Sequence, residues 1–410
     1  MSLANVRDEL LSQIPRNDIE DDTTKPWAGY SNVNYTVVAI AIEAIWGANL
    51  ESFMNEILFI PLGMKCTSLG VPTEKPIDNK GWVVDSHGRR HELQRPQYRA
   101  DGAEAAALGV YSTAHDLDLF FKFIIDTFHH QQRIPGFDLS ALAKVLKITY
   151  ETGESLRFTP LGLYTSLGSS VIGALSTNRA QFSSESFSKY NVTADQSENE
   201  IPIYYMAGSA VACSCATALH VGVDRSFAVI VLTNTSGPVD AADHILRLVL
   251  QRMANWIGKG RSSSRLGKPI SVKEMVKRNW VESLQKWQAV EQKRALDRGY
   301  TPIISKDIEG LFKGENFNQR LVISKKADGR IYITVDGPLV LPFPTELELF
   351  WIDDSSVKMN IPLHLSVDWL DGGDWSNTVF RVEDRDRVVV ALVRTTDVGE
   401  DKFLRISSMS

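Results

Sequence analysis

From Arg320 onward the apolar residues fall at every second position. Leu321 and Ile323 do so in RLVISKK, Ile331 and Ile333 in RIYITVDG, Leu347, Leu349 and Trp351 in ELELFWIDD, and Phe380 and Val382 in TVFRVED; RVVVALVRT follows as a denser run. A period of two places one set of side chains on a single face of a strand, and no helix can bury such a pattern on one side. Asp-Gly and Asp-Asp pairs between the runs suit tight turns. This rhythm predicts a separate all-β unit over residues 300–410, a small barrel or sandwich.

The rest of the chain reads differently. GKGRSSSRLGKP, residues 258–269, is poor in apolar residues and rich in Gly, Ser and Arg, which marks a linker. A helix is predicted from there to Gly299, with Val272, Val276, Trp280, Leu284 and Trp287 along one face. Residues 1–257 alternate helical and strand patterns. Tyr35, Val38, Ile42 and Ile45 have helical spacing and Gly47 fits the C′ position. A short helix is expected over 51–58, stopped by Pro61. Ser112 or Thr113 can cap a helix whose apolar side holds Leu117, Phe120, Phe121 and Ile124. Runs within 155–235 suggest an antiparallel meander, and 239–257 a closing helix. The fold class is therefore α/β of the α+β kind: an antiparallel sheet flanked by helices over 1–257, a linker and connecting helix over 258–299, and the β-unit.

Composition excludes several functions. A formal net charge of -6 in 410 residues gives no footprint for nucleic acid or an anionic membrane. The N-terminal residues lack an apolar h-region, so a cytoplasmic location is expected. The three cysteines are Cys66, Cys213 and Cys215. The last two are spaced neither for zinc nor for a redox pair; on a strand they share a face and are expected to pack as small hydrophobes. His87 and His91 flank Arg89 and Arg90, which would repel a metal ion, so no metal or cofactor is expected.

Chemistry is suggested by GYSNVNYTVVAIAIEAIWG, residues 29–47, where Tyr30 and Asn32 stand at the mouth of an apolar helix. A phenol with a pKa near 10 is ionised in roughly one molecule per thousand at pH 7. It serves as a general base only where a neighbouring cation offsets about 4 kcal/mol. Asn can hold a carbonyl or orient a lysine. The plainer alternative is that Tyr30 packs and Asn32 caps the helix.

The segment from Tyr30 through PLGMKCTSLG resembles the second-motif region of serine β-lactamase-like and penicillin-binding-like proteins. GAEAAALGVYSTAHDLDLFFKF resembles a further segment of that family, and YYMAGSAVACSCATALHVGVDRSFAVIVLTN its third-motif strand pair. The resemblance covers roughly 25–255 and is nearest to fungal members, some of which serve secondary metabolism. It implies a β-lactamase/transpeptidase-like fold and serine hydrolysis or acyl transfer on a small-molecule ester or amide. Tyr30 and Asn32 would be catalytic. Met206, Ala207 and Gly208, with Ser209 after them, would stand at the substrate-binding third motif. Met206 carries no charge and donates no hydrogen bond, which argues against β-lactams more than against esters. Ser-x-x-Lys, the family's nucleophile motif, occurs at Ser186–Lys189, Ser283–Lys286 and Ser355–Lys358. All three lie after Tyr30 rather than before it and read as chance matches. The expectation is a chain incomplete at its N-terminus, with apolar residues of the 35–46 helix left exposed; the alternative is a non-catalytic binding scaffold of the same fold. The oligomeric state is left open.

Overall fold

The computed structural model describes residues 32–72, 80–85, 87–93, 98–102, 105–130, 150–151, 157–158, 164–166, 176, 178, 203–210, 212–222, 226–237, 239–257, 272–297, 300–303, 305–315, 319–336, 346–361, 379–396 and 399–407. Helix α1 spans Asn32–Trp46 and closes as predicted: Gly47 adopts φ +75° and its N–H reaches the Glu43 carbonyl at 3.0 Å. Val38, Ile45 and Trp46 stand exposed on it, Ile45 at 87%. Helix α2 runs over Leu50–Leu62. Pro61 does not stop it, contrary to expectation. A π turn over Asn55–Phe59 precedes the proline, and the N–H groups of Ile60 and Met64 reach back five residues, to Asn55 and Phe59. The wider turn relieves the clash of the proline ring with the carbonyl four residues before it.

Short strands β1 (Ser68–Leu69), β2 (Gly81–Val84) and β3 (Arg90–Leu93), helix α3 (Ala105–Leu108) and strand β4 (Val110–Tyr111) follow. β2 and β3 form an antiparallel hairpin. Helix α4 (Ala114–His130) is capped by Thr113, whose Oγ1 accepts the Asp116 N–H at 3.2 Å. The buried Asp116 carboxylate in turn accepts from the Cys66 N–H at 2.7 Å and from Thr67 Oγ1 at 2.8 Å, tying the α2–β1 connection to the start of α4.

Strands β5 (Tyr150–Glu151), β6 (Arg157–Phe158), β7 (Tyr164–Ser166), β8 (Ile203–Ala210), β9 (Cys213–Val221) and β10 (Ser226–Thr233) make the predicted meander: one antiparallel sheet, ordered β10-β9-β8-β7-β6-β5. After β11 (Thr235–Ser236), which pairs with β2, comes helix α5 (Ala241–Ile257). Helices cover both faces of the sheet. Leu246 and Leu250 of α5 pack on Tyr205, Ala207, Ala216, Ala218, Val229 and Val231, while Phe121 and Ile124 of α4 pack on Tyr204 and Leu219.

Helix α6 (Val272–Asp297) is the predicted connecting helix, but its buried line is not the predicted one. Asn279, Ser283 and Trp287 are buried at 1%, 1% and 4%, so two polar residues replace the expected Val and Leu on the inward face. The Asn279 side chain lies 3.4 Å from His244 of α5, a polar contact that apolar periodicity does not record.

The C-terminal unit is a closed eight-stranded barrel: β12 (Gly310–Gly314), β13 (Arg320–Lys325), β14 (Ile331–Asp336), β15 (Glu346–Asp353), β16 (Ser356–Asn360), β17 (Val379–Arg385), β18 (Val388–Thr396) and β19 (Gly399–Ser407). Neighbours pair antiparallel and β12 pairs with β19, so no edge remains. The alternating residues Leu321, Ile323, Ile333, Leu349, Met359, Phe380 and Phe403 fill the interior.

Candidate active site

Strand β8 carries Met206 to Ser209, and the pleat divides them. Met206 and Gly208 share a face with Tyr204, toward α4; Ala207 and Ser209 share the opposite face with Tyr205, toward α5. The Ala207 side chain is buried against α5, so Ala207 can offer a ligand only its backbone. Met206 is half-buried, while Gly208 and Ser209 are exposed. β9 pairs with β8 along its whole length, but β7 reaches only Ile203, Tyr204 and Tyr205. From Met206 to Ala210 the second edge of β8 thus has no strand partner among the described residues.

Cys215 lies opposite Gly208 in the ladder. A Cβ built on Gly208 would stand 3.1 Å from the Cys215 Sγ, so the missing side chain makes room for the thiol. Cys213 and Cys215 share this face, as expected, but both are half-buried beside the open end of the strand rather than packed away. Burial, and then the neighbouring Cys213, push the Cys215 thiol up to about 11, so it stays protonated and is a poor nucleophile at pH 7.

The α5 face holds a polar network that sequence reading missed. Asp240 precedes α5, and its carboxylate accepts the Asp243 N–H at 3.1 Å and the Ser176 hydroxyl at 2.8 Å. The Asn178 amide donates to the Asp240 carbonyl at 3.0 Å and to the Asp243 carboxylate at 2.9 Å, and its oxygen accepts the Asp240 N–H at 2.8 Å. Asp243 also receives Arg247 Nε at 2.8 Å and the Tyr205 hydroxyl at 3.1 Å. Asp243, Arg247 and Asn178 are each no more than 1% exposed. Burial and the neighbouring Asp243 raise the Asp240 pKa, and burial lowers His244 to about 4. The available signal was the Asp-x-x-Asp-x-x-x-Arg spacing: a cap, its N3 acid, and an i,i+4 ion pair among apolar helix positions. This network braces the back of the sheet, and through the Ser214 hydroxyl at the Asp240 carboxylate it reaches the β9 residue opposite Ser209.

The remaining candidates fall as follows. Asn32 is exposed at the first turn of α1, where its carbonyl accepts from Thr36 Oγ1 at 3.5 Å; Tyr30 lies outside the described residues. α1 and the start of α2 share a core with Ala39, Leu50, Leu69 and Ala105, while Leu62 at the end of α2 packs on the core that holds Tyr204 of β8. Ser283 is buried while Lys286 is exposed, and Ser355 is exposed while Lys358 is buried, so neither pair shares an environment. Ser186 and Lys189 lie outside the described residues. His91 serves the hairpin: its Nε2 lies 2.9 Å from the Asp85 carboxylate, which also accepts the N–H groups of His87 and Arg89. Burial opposes ionisation of Asp85, yet these hydrogen bonds and the Arg89 guanidinium hold it well below the usual carboxylate range. His129 Nε2 lies 2.6 Å from Ser226 Oγ, but that oxygen also accepts the Gly222 N–H and braces the β9–β10 turn. Among the described residues, no three His, Cys, Asp or Glu side chains converge as metal ligands. No single described helix is long and apolar enough to cross a membrane.

A family model described as Beta-lactamase matches residues 4–252. No curated protein matches the chain. Among solved structures, the chain is similar to the octameric penicillin-binding protein homologue from Pyrococcus abyssi: 16% identity, TM-score 0.38, covering 91% of this chain and 64% of that one. It is also similar to the D-amino acid amidase from Ochrobactrum anthropi SV3 (16% identity, TM-score 0.38, 57% of this chain and 59% of that one) and to a D-stereospecific amidohydrolase from Streptomyces sp. (15% identity, TM-score 0.35, 54% and 53%). The chain thus spans less than two thirds of the length of each.

Proposed function

Because the chain belongs to the Beta-lactamase family, we propose that it is a serine-hydrolase-type protein whose substrate, a small ester or amide, lies along β8. One observation carries this reading: from Met206 to Ala210, inside the matched region, one edge of β8 has no strand partner among the described residues, and Gly208 and Ser209 are exposed there. An extended acyl group can pair with such an edge through backbone N–H and C=O groups, as an added strand does. Met206 offers an apolar contact in place of a cation, which favours uncharged acyl groups over carboxylates. Tyr30 and Asn32 are the proton-transfer and carbonyl-orienting residues in this proposal.

A second reading is favoured by a specific observation. Neither described Ser-x-x-Lys pair places its serine beside its lysine in one environment, and neither belongs to β8. A binding scaffold of the same fold would hold the ligand without acylation. Intact-mass measurement after a fluorophosphonate, paired with calorimetric titration of a neutral ester, separates the two. A stoichiometric serine adduct with ester turnover supports the hydrolase. Saturable binding without adduct supports the scaffold. Neither binding nor adduct sinks both.

A further inference from the structure

The β8–β9 hairpin reverses in two residues between Ala210 and Cys213, and one of these, Ala212, adopts φ +60°. That conformation brings Cβ too close to the following carbonyl, and turns of this kind normally use Gly or Asn there. A strained residue persists only where its surroundings enforce it. Ala212 is fully buried, in a cluster with Val83 of β2 and Trp287 of α6. Trp287 is itself 4% exposed and, among the described residues, is the large side chain on the inward line with Asn279 and Ser283. Leu93 of β3 packs both on this cluster and on the core of the barrel. The helix leading to the barrel therefore presses a tryptophan onto the tip of the hairpin that carries Met206 and Gly208.

We propose that Trp287 is a positioning residue: by clamping the strained Ala212 turn it fixes the β8–β9 hairpin and, with it, the edge offered to substrate. The structural half stands on the packing alone, and its consequence for substrate rests on the reading of β8 given above. The clamp makes the barrel-bearing helix part of the site's framework rather than a tether. Aromatic bulk at 287 is what the turn requires, so phenylalanine should substitute and a small residue should not.

Cys213 adjoins the turn and Cys215 faces Gly208, so their thiols report on the hairpin without any need for activity; exposed Cys66 is an internal reference. Rates of N-ethylmaleimide modification, read by peptide mass spectrometry, should rise at least tenfold at Cys213 and Cys215 relative to Cys66 in Trp287→Ala, and less than threefold in Trp287→Phe. Ala212→Gly, which removes the strain, should cut the effect of Trp287→Ala to less than threefold. Leu392→Ala, a cavity in the barrel core, should leave the ratio unchanged. An unchanged ratio in a folded Trp287→Ala protein, or an equal rise in Leu392→Ala, overturns the proposal. Should Trp287→Ala not fold, Trp287→Leu takes its place under the same criteria. The thiol ratio decides the clamp even if no fluorophosphonate adduct forms on the parent chain, so its failure and that of the hydrolase reading are told apart.

Discussion

The barrel and the six-stranded sheet solve the same packing problem with opposite materials. The barrel interior is filled by Leu, Ile, Val, Met, Phe and Trp, and ion pairs such as Arg394 with Asp401 and Arg405 with Asp307 lie elsewhere in the unit. The sheet buries Asp240, Asp243, Arg247 and Asn178 under α5, beside Leu246 and Leu250. Apolar burial is forgiving of shape and indifferent to pH, whereas a buried charge is stable only while every partner is present. The barrel closes on itself and needs no anchor. The sheet must hold the segment of Ser176 and Asn178 from more than sixty residues away in sequence, and directional bonds do that where a few apolar contacts could slide. The two regions should accordingly fail in different ways.

The largest expected effect is Arg247→Ala. It strands the Asp243 carboxylate at 0% exposure, and removal of one partner of a buried pair costs about 3–5 kcal/mol. Phe380→Ala in the barrel should cost a similar amount, about 3–5 kcal/mol, through its cavity. Urea melts at pH 7 test both; a loss below about 1 kcal/mol in Arg247→Ala would erase the proposed contrast.

Next is the acid response of the parent chain. Burial is the main cause that holds His244 down at about 4, so its folded pKa lies below the ordinary value of 6.5. The folded state therefore resists a proton that the unfolded chain accepts. This contribution to stability is complete above pH 6.5 and is lost as the pH falls toward 4, on the order of 3 kcal/mol in total. Asp240 acts in the opposite sense, because its raised pKa lets the folded state take up a proton earlier than the unfolded chain does. Asp85, held low, should lose its contribution only below about pH 3.8. His244→Gln should flatten the stability curve between pH 6.5 and 4; an unchanged curve would mean that another group carries it.

Asn178→Ala follows, at about 1–3 kcal/mol, since it leaves the Asp240 N–H without its partner and takes one of two donors from an Asp243 oxygen. Asn178→Asp should be worse, because it adds a third carboxylate to the cluster. Thermal melts of the three proteins rank them, and the order parent, Ala, Asp is the expected one.

These contrasts follow what was legible in the sequence. Alternation in RLVISKK and ELELFWIDD exposes the barrel strands because each depends only on its own neighbours. Closure into a barrel rather than a sandwich depends on the pairing of Leu311 with Ser407 and of Phe312 with Arg405, which no local pattern announces. Helix α1 and its Gly47 stop were readable, but the π turn that admits Pro61 was not, since the proline alone reads as a terminator. On α6 the apolar stripe pointed to Val276 and Leu284, whereas Asn279 and Ser283 are buried, Asn279 beside His244 of α5. For the candidate site, the motif order placed Met206 to Ser209 on a strand, and the pleat then separated Met206 and Gly208 from Ala207 and Ser209. Asn178 was invisible for the reason that makes it matter: its bonds reach Asp240 and Asp243, more than sixty residues away.

The smallest expected effect assigns unfolding transitions to the two regions. Gly47 ends α1 with φ +75° and Gly329 turns between β13 and β14 with φ +84°. A Cβ built at either meets nothing within 4 Å, so alanine costs only the left-handed backbone, about 1 kcal/mol at each site. Equal chemistry in two places makes a matched pair of probes. If the sheet and the barrel melt as separate cooperative units, Gly47→Ala lowers only the transition that Arg247→Ala also lowers, and Gly329→Ala only the one shared with Phe380→Ala. In a unit of 100 to 200 residues, 1 kcal/mol corresponds to a shift of about 2–6 °C, which calorimetry resolves. If both substitutions move one common transition, the clamp at Trp287 and the shared packing of Leu93 couple the two regions strongly enough that the barrel, for all its closed edges, unfolds with the sheet.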